Sequence, residues 1–121
     1  MIQVVYHRNY NRLTVTGHAD SAEPGHDLVC ASASMLAYTL AANVANMADA
    51  RQVREPIIKM DAGDTEISCN PRHNLKATVT LVFDSICVGF FMLAHDHPEY
   101  ISYEIRQSCR DREKVLLGGI V

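Results

Sequence analysis

The sequence lacks an excess of positive charge. Lysine and arginine together number 11, against 14 aspartates and glutamates, so the formal net charge is -3. Tight binding to nucleic acid depends on lysine and arginine side chains that neutralise phosphates, and we therefore expect no direct nucleic-acid partner. The same net charge would not repel a basic protein substrate.

Long apolar runs, internal repeats and low-complexity segments are also lacking. No run approaches the roughly 18 apolar residues of a membrane span, and residues 1–10 lack the apolar core and cleavage site of a signal peptide. We expect a cytoplasmic chain with no membrane partner. With 121 residues, 48% of them hydrophobic, the chain can build one modest core. We expect a single domain over residues 1–107 and assign no role to the tail at residues 108–121.

The cysteines form no paired motif. They stand at positions 30, 69, 87 and 109, without a C-x-x-C spacing, which argues against a zinc ribbon and a thioredoxin-like redox site. In a reducing cytosol we expect all four to be thiols. Two shorter fragments, His95-x-His97 and Cys69-x-x-x-His73, lack the spacing of a zinc module. We expect no metal and no cofactor.

Alternating polar and apolar residues predict the strands. Residues 2–6 and 13–16 predict a first hairpin. Residues 57–61 and 65–69 flank Ala62-Gly63-Asp64 and predict a second hairpin. Residues 100–106 predict a last strand. The small and polar residues 19–26 have no period and predict a loop, and residues 49–56 predict a charged connector.

Two segments predict helices. Between residues 28 and 47, apolar residues recur at spacings of three and four, with Asp27 at the expected cap position. Residues 76–97 fit both a strand and a helix, but no break occurs before Pro98, Asn70-Pro71 offers a start, and the length favours a helix. The resulting order β-β-α-β-β-α-β predicts an α+β fold, with an antiparallel sheet packed against two α-helices.

One stretch carries a catalytic pattern. His18 follows the end of a predicted strand, and Cys30 lies in the first turn of a predicted helix. The thiolate is the reactive form of cysteine, and the exposed amides of a helix N-terminus favour it. The same amides can bind the oxyanion that forms when a thiolate attacks a peptide carbonyl. A neighbouring histidine can act as the base.

Two motifs in this stretch resemble the ribosomal-processing cysteine protease family. The string G-H-A matches residues 17–19, and G-x-D-x-V-C-A-x-x-S matches residues 25–34. Members of that family remove the N-terminal extension of large-subunit ribosomal protein twenty-seven. The resemblance implies that His18 and Cys30 are the catalytic pair. It also implies a small homodimer, a precursor of that ribosomal protein as partner, and an apolar pocket for aromatic residues just before the cut.

Four motif positions are candidates for supporting roles: Gly17, Gly25, Asp27 and Ser34. Asp27 can simply cap the helix, which typically stabilises by about 1 kcal/mol, or it can orient His18 as the third member of a triad. Ser34, one turn after Cys30, can touch the site or can be a small packing residue. His26 fills the variable motif position, and we expect it to be a solvated loop residue.

Three functions compete on this sequence. The first is a cysteine endopeptidase, which the motifs around Cys30 favour. The second is a ribosome-associated binding module in which Cys30 is only structural. The third is a cysteine acyl-transfer enzyme with a small-molecule substrate, because a Cys-His pair alone does not define the acyl donor.

Overall fold

The computed structural model describes residues 1–18 and 26–107, with the backbone alone described at positions 26 and 27. The elements follow the chain as β1 (Ile2–His7), a single 3-10 turn (Arg8–Tyr10), β2 (Arg12–Thr16), α1 (His26–Asp49), β3 (Val53–Asp61), β4 (Asp64–Pro71), α2 (Lys76–Asp96) and β5 (Ile101–Arg106). This order confirms the predicted α+β fold. Residues 19–25, most of the predicted loop, and the tail at 108–121 lie outside the described residues.

The five strands form one sheet in the order β3-β4-β2-β1-β5. Three neighbouring pairs are antiparallel, as predicted, and the β1–β5 pair is parallel. The parallel pair follows from the path of the chain. Helix α2 carries the chain back along the length of the sheet, so β5 starts at the end where β1 starts, with Ile101 opposite Ile2.

One face of the sheet packs against both helices. The strands contribute alternate residues to this face, because side chains along a strand point to opposite sides; those of β1 are Ile2, Val4 and Tyr6. Each fully buried large apolar side chain contributes roughly 1.5–3 kcal/mol. The largest fully buried hydrophobic side chains include Tyr6, Leu13, Leu40, Ile67, Phe83, Phe90 and Ile101.

Both predicted helices are confirmed, and their buried faces follow the apolar period. In α1 the buried residues include Val29, Ala33, Leu40, Val44 and Met47, and Leu36 packs partly buried against them. In α2 the buried residues are Val79, Thr80, Phe83, Cys87 and Phe90. The choice of helix over strand for the second segment was therefore correct, because its inward residues recur every three to four positions.

Two boundaries differ from the sequence prediction. Helix α2 does not start near Asn70-Pro71, because Pro71 continues β4 opposite Val53. The predicted connector at residues 49–56 is partly strand, since β3 already begins at Val53. Its register shifts between Arg54 and Ile57, and Glu55 has a φ of 50°. This irregularity admits Pro56 on an edge strand, where a missing N–H is tolerated.

The outer faces of the helices are unexpectedly apolar. By length and mean hydropathy alone, Leu28–Asp49 and Lys76–Asp96 could each span a membrane, so the expectation that no stretch approaches that length needs correction. The core helix of a soluble protein passes the same test, and each of these helices has one face in the core. Their other faces expose large hydrophobic side chains at Leu28, Met35, Tyr38, Leu81, Val88 and Met92.

Candidate active site

A cavity of about 530 Å³ opens where the end of β2, the first half of α1 and the tip of the β3–β4 hairpin meet. Four of the residues singled out in the sequence line it together: Gly17, His18, Cys30 and Ser34. The remaining lining residues are Ile2, Val15, Ala33, Ala37, Tyr38, Met60, Asp61, Ala62, Gly63 and Thr65. The fold therefore brings the histidine of one motif and the cysteine of the other to one cavity.

The backbone around His18 is held from two sides. The N–H of Gly17 donates to the carbonyl oxygen of Gly63 at 3.0 Å, and the amino group of Met1 donates to the carbonyl oxygen of His18 at 2.7 Å. Gly17 has a φ of 90°, which disfavours any residue with a side chain. A Cβ atom at Gly17 would also collide with the carbonyl oxygen of Met1. The lack of a side chain at Gly17 thus lets the backbone of Met1 pack closely against the residue that precedes His18.

Cys30 lies one turn inside α1, which begins at His26. Its side chain is half-buried and packs against the edge of the core. Because Cα–Cβ bonds tilt toward the N-terminus of a helix, the Cβ atom of Cys30 leans toward the first turn. The amides of that turn have no partner within the helix. They are therefore suited to stabilise a thiolate or an oxyanion at this position.

The other described thiols are in a different environment. Cys69 and Cys87 are both buried. Burial raises the pKa of Cys69 to about 11, and burial also raises the pKa of Cys87 strongly. Because the thiolate is the nucleophile, neither is suited to attack a carbonyl. Cys109 lies outside the described residues.

Part of the cavity lining is apolar. Ile2 and Val15 come from neighbouring strands, Met60 comes from the end of β3, and Tyr38 comes from α1. Neither Tyr38 nor Met60 was predicted from the sequence as a site residue. Tyr38 could have been found from spacing, because Cys30, Ser34 and Tyr38 are four residues apart and share one helix face.

The hairpin tip was also missed, and no local signal could have found it. Its residues reach His18 because β4 pairs with β2, with Asp64 opposite Thr16. In the sequence, residues 61–63 lie more than forty positions from His18. The contact depends on sheet pairing that local periodicity does not specify.

Two of the supporting candidates cannot be placed by their side chains. Gly25 lies outside the described residues, and at Asp27 only the backbone is described. Helix α1 begins at His26, and the backbone of Asp27 belongs to its first turn. The cap and triad roles of Asp27 both stay predictions, as does the expectation for the side chain of His26.

The two histidines of the His95-x-His97 fragment have local partners. The ring of His95 stacks on Phe91, with centroids 6.0 Å apart, and Nδ1 of His97 lies 4.0 Å from a carboxylate oxygen of Glu99. Within residues 1–18 and 26–107, no three histidine, cysteine, aspartate or glutamate side chains are grouped as ligands for a metal ion.

Comparison with known proteins gives a family match and a fold match. A family model described as cysteine protease Prp matches residues 1–102. Among curated proteins, no significant match was found.

Among solved structures, SMU.848 from Streptococcus mutans is similar, with a TM-score of 0.65 and 28% sequence identity, over 89% of this chain and 96% of that chain. Two structures of an essential ribosomal processing protease, Prp, from S. aureus are also similar. The complex with a substrate peptide has a TM-score of 0.63 and 21% identity, over 87% of this chain and 97% of that chain. The complex with a covalently linked product peptide has a TM-score of 0.62 and 23% identity, with the same shares covered. At these identities the two S. aureus structures support the fold.

Proposed function

Since the chain belongs to the cysteine protease Prp family, we propose that it uses Cys30 as nucleophile and His18 as base to process a ribosomal protein. Family membership makes the protein a cysteine endopeptidase, a hydrolase. The proposed substrate is the precursor of large-subunit ribosomal protein twenty-seven, from which the enzyme removes the N-terminal extension. We propose that this reaction takes place in the cytoplasm and needs no metal or cofactor.

The observation that carries the assignment is the shared cavity. His18, two residues beyond β2, and Cys30 in α1 line the same space. The His18 segment is held by backbone hydrogen bonds to Gly63 and Met1. Catalytic groups on rigid elements can hold a productive geometry while a substrate enters. Of the three described cysteines, Cys30 is the one in an open cavity with a histidine, whereas Cys69 and Cys87 are buried.

The reaction follows from these groups. His18 takes the thiol proton of Cys30, and the thiolate attacks the carbonyl carbon of the scissile peptide bond. The amides at the start of α1 stabilise the resulting oxyanion. When the carbon–nitrogen bond breaks, the imidazolium of His18 gives its proton to the leaving amine. Water, deprotonated by His18, then attacks the thioester, releases the new carboxyl terminus and restores the thiol.

The cavity also supports a substrate with aromatic side chains before the cut. The apolar part of its lining, formed by Ile2, Val15, Tyr38 and Met60, provides the kind of surface that an aromatic ring buries. Asp61, an exposed residue, also lines this cavity, and its negative charge suits a basic protein. The two S. aureus complexes concern a ribosomal processing protease with bound peptides, and we extend that substrate class to this chain as part of the proposal.

The competing function, a ribosome-associated module with a structural Cys30, is disfavoured by the same observations. A structural cysteine is expected to be enclosed in the core, as Cys69 and Cys87 are. Cys30 instead borders an open cavity.

Cleavage of an extended ribosomal-protein precursor tests the dyad. We expect Cys30→Ser and His18→Ala each to lower kcat/KM by about 10⁴-fold or more, because members of one catalytic unit are strongly interdependent. Mass spectrometry of the product would show the cut site. His73→Ala, at an exposed histidine outside the cavity, and Cys69→Ala should keep most activity in the folded fraction. Full activity in Cys30→Ser would sink the mechanism.

We also propose that the enzyme is a homodimer that uses the apolar outer faces of its helices. A groove of about 580 Å³ runs between α1 and α2 and is lined by Ala31, Ser32, Met35, Leu36, Gly89, Met92, Leu93 and Asp96. Met35 and Met92 are 65% and 58% exposed there. Contiguous exposed apolar surface of this kind marks an interaction site in soluble proteins, and a second copy would cover it.

Light scattering at micromolar concentration tests this assembly. We expect about twice the monomer mass of 13.5 kDa, because a symmetric pair buries both grooves. Met35→Asp should shift the protein to monomer, since a charge would then be buried at the interface. The matched control is Tyr10→Asp, at a side chain that is 75% exposed and outside the groove. A wild-type mass of 13.5 kDa would contradict the proposal.

A further inference from the structure

The tip of the β3–β4 hairpin lies directly against the imidazole of His18. A Cβ atom added to Gly63 would stand 2.7 Å from Cε1 and 3.0 Å from Cδ2 of His18, and it would be nearer still to Nε2. Carbon atoms of packed groups stay about 3.5–4.0 Å apart. The ring of His18 therefore occupies the space that a side chain at position 63 would fill.

The same glycine holds the backbone that precedes His18. The carbonyl oxygen of Gly63 accepts the hydrogen bond from the N–H of Gly17 at 3.0 Å. One residue of the hairpin thus touches the His18 segment twice, once through its carbonyl group and once through its bare Cα. The first contact fixes where the segment lies, and the second limits where the ring can turn.

We propose that Gly63 is a positioning residue for the catalytic base: its missing side chain leaves the place in which the imidazole of His18 is held in the cavity that Cys30 also lines. The proposal rests on the assignment of His18 as the base. A side chain at position 63 would displace the ring from its place in the cavity, and displacement of a catalytic group by about 1 Å can cost on the order of a hundredfold in rate.

Gly63 could be required for its backbone conformation or for the space that it leaves to the ring of His18. Substitutions can distinguish these two roles. Gly63 has a φ of 73°, a value that asparagine also adopts in hairpin turns. Gly63→Asn therefore keeps a residue suited to the turn but fills the space of the ring. Conversely, Asn74 has a φ of 68° in an exposed turn before α2 and does not line the cavity, so Asn74→Ala imposes the backbone strain without filling the space beside His18.

The experiment measures two rates in wild type, Gly63→Asn, His18→Ala and the double variant. The first is cleavage of the extended precursor. The second is alkylation of Cys30 by iodoacetamide at pH 7, which reports how well the histidine promotes the thiolate and needs no substrate. We expect Gly63→Asn to lower kcat about tenfold or more with a smaller change in KM, and to slow alkylation of Cys30. Asn74→Ala should lower the melting temperature and leave both rates unchanged.

The double variant decides the proposal. If Gly63 acts through His18, adding Gly63→Asn to His18→Ala should slow alkylation no further, because the ring that it displaces is already absent. An equal slowing in both backgrounds would overturn the proposal, because the effect would then not depend on His18. Unchanged rates in Gly63→Asn alone would also overturn it, because a side chain at position 63 would then not disturb the catalytic base. Failure of the dyad itself has a different signature, since His18→Ala would then cleave the precursor at the wild-type rate.

Discussion

Two regions of this molecule each contain a thiol and ionisable side chains, but they differ in how accessible the thiol is. In the cavity beside α1, Cys30 is half-buried and shares an open space with His18. On the buried face of α2, Cys87 is 3% exposed and lies in a polar cluster, formed by Tyr6, Arg8, Asp84, Cys87 and Tyr103. The same chemical group is accessible in the first region and enclosed in the second.

The polar cluster is internally satisfied. The hydroxyl of Tyr6 donates to Oδ1 of Asp84 at 2.8 Å, and Arg8 donates to both carboxylate oxygens of Asp84 at 3.1 and 3.0 Å. Burial raises the pKa of Tyr6 and of Tyr103, so both phenols stay protonated and available as donors. Groups paired in this way tie β1 to α2 and have little chemical reactivity.

The difference shows that a cysteine near a polar partner is not by itself a catalytic cysteine. Hydrogen bonding to Tyr103 alone would lower the pKa of Cys87, but burial is the larger effect and raises it. What the cavity supplies to Cys30 is access for a carbonyl group and a helix start that favours negative charge. The two thiols therefore differ mainly in their access to a substrate and in the electrostatic potential around them. The presence of a polar neighbour distinguishes them less.

Alkylation of the native protein gives the largest expected contrast between these regions. At pH 7.5 a thiol with a pKa of about 11, as for Cys69, has roughly a hundredfold or more less thiolate than an ordinary thiol. We expect iodoacetamide to label Cys30 at least about a hundredfold faster than Cys69 or Cys87, because the thiolate reacts. Peptide mass spectrometry after short exposures separates the three sites.

Denaturant provides the control for that contrast. In the unfolded chain Cys69 and Cys87 lose their burial, so the three rates should converge to within a small factor. Native labelling of Cys87 at the rate of Cys30 would break the comparison, since it would mean that the cluster opens readily. Any labelling of Cys109 is scored separately, as that residue is outside the described part of the chain.

Removal of the central carboxylate of the cluster should have the next largest effect. Asp84→Ala leaves the hydroxyl of Tyr6 and the guanidinium of Arg8 without their shared acceptor. We expect a loss of about 2 kcal/mol in the free energy of unfolding, a value kept modest because the Arg8 and Asp84 side chains are 30% and 33% exposed. Chemical denaturation measures this loss. Precursor cleavage per folded molecule should change by less than about twofold, because the cluster is remote from the cavity.

An exposed ion pair serves as the matched control for this variant. Arg106 and Glu104 lie 2.8 Å apart with side chains 58% and 55% exposed, and Arg106→Ala should cost at most about 0.5 kcal/mol. If Asp84→Ala cost no more than Arg106→Ala, the cluster would not be the stabilising region described here. A large loss of activity in folded Asp84→Ala would show that the two regions are coupled.

Several elements could be predicted from the chain because their signals are local. The alternation at residues 2–6 and 13–16 specified the first hairpin, and the three-to-four spacing from Val29 onward specified α1. The segment that became α2 fitted two periods, and its length decided the prediction correctly. The prediction failed at Asn70-Pro71, where pairing of Pro71 with Val53 extended β4 past the expected stop.

By itself the sequence determined the order of elements and the two motifs that carry His18 and Cys30, because periodicity and short motifs act over a few neighbouring residues. Only the tertiary structure decided which side chains surround that pair. The pairing of β4 with β2 brings Gly63 against the ring of His18, and packing of α2 encloses Cys87 while Cys30 stays open to the cavity. Such contacts join residues far apart in the chain, and their energies depend on burial and shape, which exist only once the sheet and helices have packed.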